Sequence, residues 1–217
     1  TTCTYDKDCT LRKNAFTRVG YTFDHWELNS KTYQDQAIVK NLGETGNVEL
    51  KAIWKANTYK IAYNLNGGSS EKAPTGATFD KDVEISNPTK TATITIDANN
   101  QGATLVKTSC TGNPVFTGWT GENLSSSALA NGTSWNGSLI KATTFKNLSS
   151  ELNGTVTLTA NYEETNITLD TPTKTGYTCG YTDTPTGEIK YTTSISTSED
   201  KTIYVKCNPN TYTITFD

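Results

Sequence analysis

The residues that could do covalent or metal chemistry in this 217-residue chain are few: five cysteines and one histidine. Cys3 and Cys9 stand symmetrically about the polar turn Tyr5-Asp6-Lys7-Asp8. A hairpin there would bring them opposite one another, as a disulfide requires. Zinc is disfavoured, because the cysteines lack the close paired spacing of structural zinc sites and only His25 could join them. His25 sits inside an aromatic segment with no thiol or elbow serine beside it, so a nucleophile has no base to activate it. The carboxylate pairs Asp6/Asp8, Asp80/Asp82 and Glu163/Glu164 lie in polar stretches, where both partners remain solvated and ionised. Glycosidase chemistry instead needs one acid raised by an apolar pocket. Asn66-Gly67-Gly68-Ser69 lacks the lysine and helix of a phosphate loop and reads as a turn. Asn99-Asn100-Gln101-Gly102 lacks the spaced carboxylates of a strong calcium site. The expectation is a chain with no catalytic residues, no metal and no cofactor.

Charge and hydropathy narrow the partners. The formal net charge is −3, with 19 basic and 22 acidic residues and no basic run, so a surface tracking nucleic-acid phosphates is not expected. No stretch reaches the roughly 18 to 20 apolar residues that span a bilayer. With 34% hydrophobic residues and 19% charged ones, the chain can bury small cores. It starts without Met, and both ends fall inside repeated patterns, so it reads as a piece of something longer whose export signal lies elsewhere.

The elements that must position these residues recur along the chain. Gly20-Tyr21-Thr22-Phe23-Asp24-His25-Trp26 is followed by Leu50-Lys51-Ala52-Ile53-Trp54 and then by Asn57-Thr58-Tyr59-Lys60-Ile61-Ala62-Tyr63. Gly176-Tyr177-Thr178-Cys179-Gly180-Tyr181 is followed by Ile203-Tyr204-Val205-Lys206-Cys207 and by Asn210-Thr211-Tyr212-Thr213-Ile214-Thr215-Phe216. A longer version between them holds Val115-Phe116-Thr117-Gly118-Trp119 and Val156-Thr157-Leu158-Thr159-Ala160-Asn161-Tyr162. Such repetition marks an array of modules. Period-two alternation predicts strands at 58–64, 82–86, 91–97, 155–159, 166–169, 201–205 and 211–217. Helix signals are poor; the best candidates are Gln34 to Leu42 and Ser125 to Ala130, at most one short helix per module.

Together, Gly-Tyr-Thr-Phe-x-x-Trp, Ala-x-Trp-x-x-Asn-Thr-Tyr-x-Ile and Asn-Gly-Gly-Ser resemble the internalin B-type (Listeria-Bacteroides) repeat of bacterial surface proteins. The resemblance covers nearly the whole chain. It implies a β-rich α+β fold: tandem small β-grasp, ubiquitin-like modules in an elongated array, with no catalytic residues to carry over. On this pattern the chain divides into module one (1–56, lacking its opening strand), a longer middle module (57–164), a short last module (165–210) and the opening strand of a next repeat (211–217). The sequence departs from the family at His25, where members carry glycine. In the last module Cys179 stands where module one has Phe23, and Cys207 where it has Trp54. If the two aromatics touch, the two cysteines are near neighbours and a disulfide replaces the ring contact. That module is the shortest and most needs a covalent constraint. Cys110 is left over, and an odd thiol in an exported chain is either buried or reactive. Disulfides persist in oxidising compartments, which favours an extracellular chain at the bacterial cell surface over a cytosolic one with five free thiols.

Most aromatics recur at equivalent places, as core packing requires. Trp135 does not; it lies in the Asn/Gly/Ser-rich insertion Asn131-Gly132-Thr133-Ser134-Trp135-Asn136-Gly137-Ser138. It either tucks under the loop to close the middle module or, with Asn131 and Asn136, offers a rigid apolar face and an N–H to a ligand. Two functions follow as expectations. One is a monomeric stalk or spacer forming part of an adhesin. The other is a module that binds a host glycan or surface protein through the Trp135 loops. A binding module ancillary to a secreted enzyme is a third.

Overall fold

The computed structural model describes residues 1–216. In chain order the strands are β1 (Cys9–Thr10), β2 (Tyr21–Leu28), β3 (Lys31–Tyr33), β4 (Ile38–Val39), β5 (Lys51–Ala56), β6 (Thr58–Asn64) and β7 (Gly76–Thr78). Next come β8 (Asp82–Glu84), β9 (Ala92–Asp97), β10 (Ser109–Gly112), β11 (Val115–Glu122), β12 (Leu129–Ala130), β13 (Thr133–Ser134) and β14 (Thr144–Lys146). The last five are β15 (Thr155–Glu163), β16 (Thr165–Thr168), β17 (Tyr177–Thr182), β18 (Ser194–Thr197) and β19 (Lys201–Pro209).

The described residues hold no helix, which overturns the expected α+β β-grasp array: the fold is all-β, in several small sheets. Both helix candidates fail for local reasons. In 34–42, Gln36 takes a left-handed φ of 58° and the Ala37 N–H closes a turn onto the Gln34 carbonyl. The β-branched pair Ile38 and Val39 then runs beside Thr10 and Cys9 as β4. In 125–130, Ser125 Oγ accepts the Ser127 N–H and the Ser125 carbonyl accepts the Ala128 N–H. A serine that bonds its own backbone in this way competes with helix formation, and Leu129 and Ala130 go on to pair with two strands.

Two compact units form, each drawn from three stretches of chain: 1–63, 72–85 and 121–158 in the first; 64–71, 86–120 and the chain from Thr159 onward in the second. In the first unit, a sheet of order β3-β2-β5 sets Phe23 opposite Trp54. Their rings meet edge to face at 5.7 Å, and a bulge between Phe23 and His25 helps bring Trp26 to within 5.0 Å of Phe23. Trp26 is buried with Leu11 and Val39 as a small core. Tyr59 and Ile61 of β6 are buried while Thr58, Lys60 and Ala62 face solvent, the alternation read from sequence. Gly20, at φ 77°, packs so closely on Phe79 that a Cβ there would lie 2.3 Å from the ring. The sheet β13-β12-β14-β8 buries Ala130, Phe145 and Val83.

In the second unit the main sheet has the order β10-β9-β19-β17, with β9 and β19 parallel and the outer pairs antiparallel. The β16–β18 pair covers it. Ile94, Ile96, Ile167, Leu169, Tyr181, Ile195, Ile203 and Val205 form one core. Cys179 and Cys207 lie directly opposite in the β17–β19 register and are bonded. Phe116 of β11 packs edge to face on Trp119 at 5.3 Å and on Tyr162 at 5.9 Å, the same three-ring arrangement as Phe23, Trp26 and Trp54. Residues 211–216, expected as a strand, pair with nothing; Asp217, the last residue of that expectation, lies outside the described residues.

The Cys179–Cys207 bond closes a separation of 28 residues inside the second core. Replacing both cysteines by serine is expected to destabilise that unit by roughly 3 to 4 kcal/mol, read as a lower midpoint in urea unfolding of the non-reduced chain.

Candidate functional site

The structure seats Trp135 within its own loop. It is 4% exposed, its indole N–H donates to the Ser138 carbonyl at 2.6 Å, and its ring meets Phe145 at 5.3 Å. Asn131, at φ 46°, accepts the Thr143 and Thr144 N–H groups on Oδ1. Asn136 Oδ1 accepts the Ser138 N–H at 3.1 Å. All three side chains spend these groups within the 131–144 segment, and the Trp135 ring and N–H are buried there. Of the two readings open for Trp135, the structure carries the one in which it closes the loop.

The other sequence candidates stand apart. Cys3 and Cys9 are bonded across the polar turn and Cys179 and Cys207 across two strands, while Cys110 is a half-buried free thiol on β10 beside the second core. His25 Nδ1 lies 2.6 Å from Asp24 Oδ2. Asp80 is not a general acid in waiting: hydrogen bonds from the Tyr21 hydroxyl and Asn147 hold its carboxyl below the usual range. Among the described residues no group of three or more His, Cys, Asp or Glu side chains converges as metal ligands would.

One cavity in the first unit was not visible from sequence. About 550 Å³ in volume, it is walled by the Cys3–Cys9 bridge, Tyr5, Leu11, Trp26 and Leu50, with Arg12 and Glu44 at its polar positions. The small Leu11/Trp26/Val39 core forms part of its wall, together with residues from the 43–50 segment, which carries no strand or helix. Trp26 is 8% exposed, and its indole N–H is buried with no acceptor among the described residues. A buried donor without a partner costs free energy that a ligand oxygen could recover. The rings of Phe16 and Phe23 fix the indole from two sides, at 6.1 and 5.0 Å. The size falls in the range of small-molecule sites, and an apolar floor with a few polar groups is their usual lining. Trp26 was legible as a core residue; that its N–H would be left over depends on a fold-level neighbourhood that no local motif encodes.

A second polar cluster lies in the other unit. Asp183 accepts hydrogen bonds from Lys190 at 2.7 Å and Tyr191 at 2.8 Å and pairs with Lys201 at 2.5 Å. The Lys190 bond foremost, then Lys201, holds its carboxyl well below the usual carboxylate range. It therefore stays ionised, a clamp between β17, β19 and the 188–191 segment rather than a proton donor.

Compared with known proteins, the chain matches no family model, no curated protein and no solved structure.

Two measurements check this assignment of roles. Trp135→Phe and Trp26→Phe remove similar volume, but only the first strands a hydrogen-bonded carbonyl, so it should cost about 1 to 3 kcal/mol more in urea unfolding. Asp183, with its carboxyl lowered on folding, contributes stability that is present above the ordinary carboxylate value of 3.8 and lost as pH falls below it. In Lys190→Met, NMR titration should find the Asp183 carboxyl moved up toward that value.

Proposed function

We propose that this chain is a stalk or spacer segment of an extracellular bacterial surface protein, part of an adhesin, and not an enzyme. One observation carries the reading. Phe23, Trp26 and Trp54 in the first unit and Phe116, Trp119 and Tyr162 in the second pack at similar ring distances (5.0 and 5.7 Å; 5.3 and 5.9 Å), and the Cys179–Cys207 bond occupies the cross-strand position of Phe23 and Trp54. A chain that re-uses one packing device three times puts its aromatic residues into holding modules closed. A projecting segment needs that, because its working properties are length and resistance to unfolding. The two disulfides are compatible with an extracellular location, and no helix among the described residues is long and apolar enough to cross a membrane.

A second reading has its own observation: the Trp26 cavity, with a buried donor that lacks an acceptor, favours direct recognition of a host glycan or a surface-protein segment. The site for that reading is Trp26 with Arg12 and Glu44, in place of the Trp135 loop.

A binding survey of the oxidised chain against glycans and host surface proteins separates the two. The stalk reading expects no saturable binding. A saturable hit that is lost in both Arg12→Ala and Trp26→Phe, with unfolding midpoints retained, would overturn it in favour of the cavity.

A further inference from the structure

The two disulfides of this chain differ in what surrounds them. Cys179 and Cys207 are 6% and 7% exposed and lie within the aliphatic core of the second unit, among Ile94, Ile203 and Val205. Cys3 is exposed and Cys9 half-buried, and their bond closes a sequence separation of 6. An attacking thiolate must reach a sulfur, so access separates labile bridges from structural ones. The Cys3–Cys9 bond is open to exchange, whereas the bond in the second core is shielded.

Every residue from Thr1 to Asp8 is exposed, so burial does little to keep this stretch in place. Apart from contacts at the bridge itself, its hydrogen bonds to the rest of the described chain all go to one residue, Asn41. The Asp6 N–H donates to Asn41 Oδ1 at 2.7 Å, and Asn41 Nδ2 donates back to Asp6 Oδ1 at 2.8 Å. Both partners are themselves exposed to water. Beyond the bridge the chain is anchored differently. Cys9 and Thr10 pair with Val39 and Ile38, the Leu11 N–H bonds to the Ala37 carbonyl at 2.9 Å, and the Leu11 side chain is 7% exposed. A fixed strand thus adjoins a stretch secured by one covalent bond and one side-chain pair.

That stretch is a wall of the Trp26 cavity: Thr1, Cys3, Thr4 and Tyr5 line it, as do residues 41–48 and Leu50. We propose that the Cys3–Cys9 bond is a redox latch, holding the 3–8 loop against the cavity when oxidised and releasing it when reduced. The reductant is a dithiol. One of its thiolates attacks a sulfur of the bridge and expels the other as a thiolate; its second thiol then displaces the remaining cysteine. The reductant leaves as a disulfide, and Cys3 and Cys9 each end with a proton. With the bond broken, the loop regains chain entropy that the closed ring withheld, and a water-exposed hydrogen-bonded pair is too weak to offset that gain. Loop-closure entropy for so short a ring makes the opened loop roughly 10 to 100 times more populated relative to the closed one. As a control on what enters the cavity, the latch rests on the cavity reading; as a property of the loop, it does not.

The experiment starts from the folded, oxidised chain, with the free thiol Cys110 alkylated before any reductant is added. Dithiothreitol is then introduced at low concentration, and newly freed thiols are alkylated and located by peptide mass mapping at successive times. Cys3 and Cys9 should be labelled about tenfold sooner than Cys179 and Cys207. In the chain reduced at this bridge alone, NMR-detected amide exchange should find the Asp6 N–H exchanging roughly 10 to 100 times faster than in the oxidised chain, with the Leu11 N–H unchanged. Cys3→Ser combined with Cys9→Ser should give the same Asp6 rate with no reductant present. Bridges that yield at the same rate overturn the proposal, and so does an Asp6 amide whose exchange is unaffected by reduction. A Leu11 amide that quickens along with Asp6 overturns it too, because the bond would then hold up β1 and not a loop beside it. None of these readouts uses a ligand, so a failure of the cavity reading shows in the binding survey alone.

Discussion

The structure depends on one cross-strand position. Where one strand meets a neighbour in its sheet, a bulky or covalent pair bridges the two: Phe23 with Trp54, Phe116 with Tyr162, Cys179 with Cys207. Sheets this small, each of four strands or fewer among the described residues, cannot bury an extensive apolar layer. A pair of large rings removes much apolar area at a single point and adds the edge-to-face attraction of aromatic pairs. Two sulfurs bury less area, and the covalent bond makes up the difference by restricting the unfolded chain. That substitution coincides with a core supplied otherwise by aliphatic residues, Ile94, Ile96, Ile203 and Val205 among them, several brought in by the parallel neighbour β9.

Polar side chains do a related job in the turns. Among the described residues, thirteen non-glycine residues take positive φ, and most are Asn or Asp. Their short side chains tolerate that conformation and can bond backbone, as Asn131 does with the Thr143 and Thr144 N–H groups. The Asn/Gly/Ser-rich insertion around Trp135 is therefore built the way the other turns are, with a tryptophan as the plug beneath it.

Much of this was readable in the residues, and the failures have physical causes. Period two in Thr58 to Asn64 carried strand β6 and its buried face, because alternation is a local property. Equivalence between Phe23/Trp54 and Cys179/Cys207 put the two thiols side by side on strands that do pair. The helices were misjudged because tolerable propensity in 34–42 and 125–130 was outweighed by left-handed Gln36 and by a serine bonding its own backbone. The parallel neighbour of β19 was missed although Thr91 to Asp97 nearly copies the tail, since a strand says nothing of which distant edge will receive it. The cavity beside Trp26 was missed for the same reason: an unpartnered N–H is a fact about surroundings.

The parallel ladder between β9 and β19 joins segments about a hundred residues apart, and β19 is among the last strands made. The second unit cannot close its sheet until nearly all of the described chain has emerged, and loops of that length are slow to close. During synthesis the first part of β9 must wait, its isoleucines uncovered. The second unit therefore stays incompletely folded until β19 is made. Assembly of that sheet is thus timed by the arrival of β19, and Cys179 meets Cys207 only then.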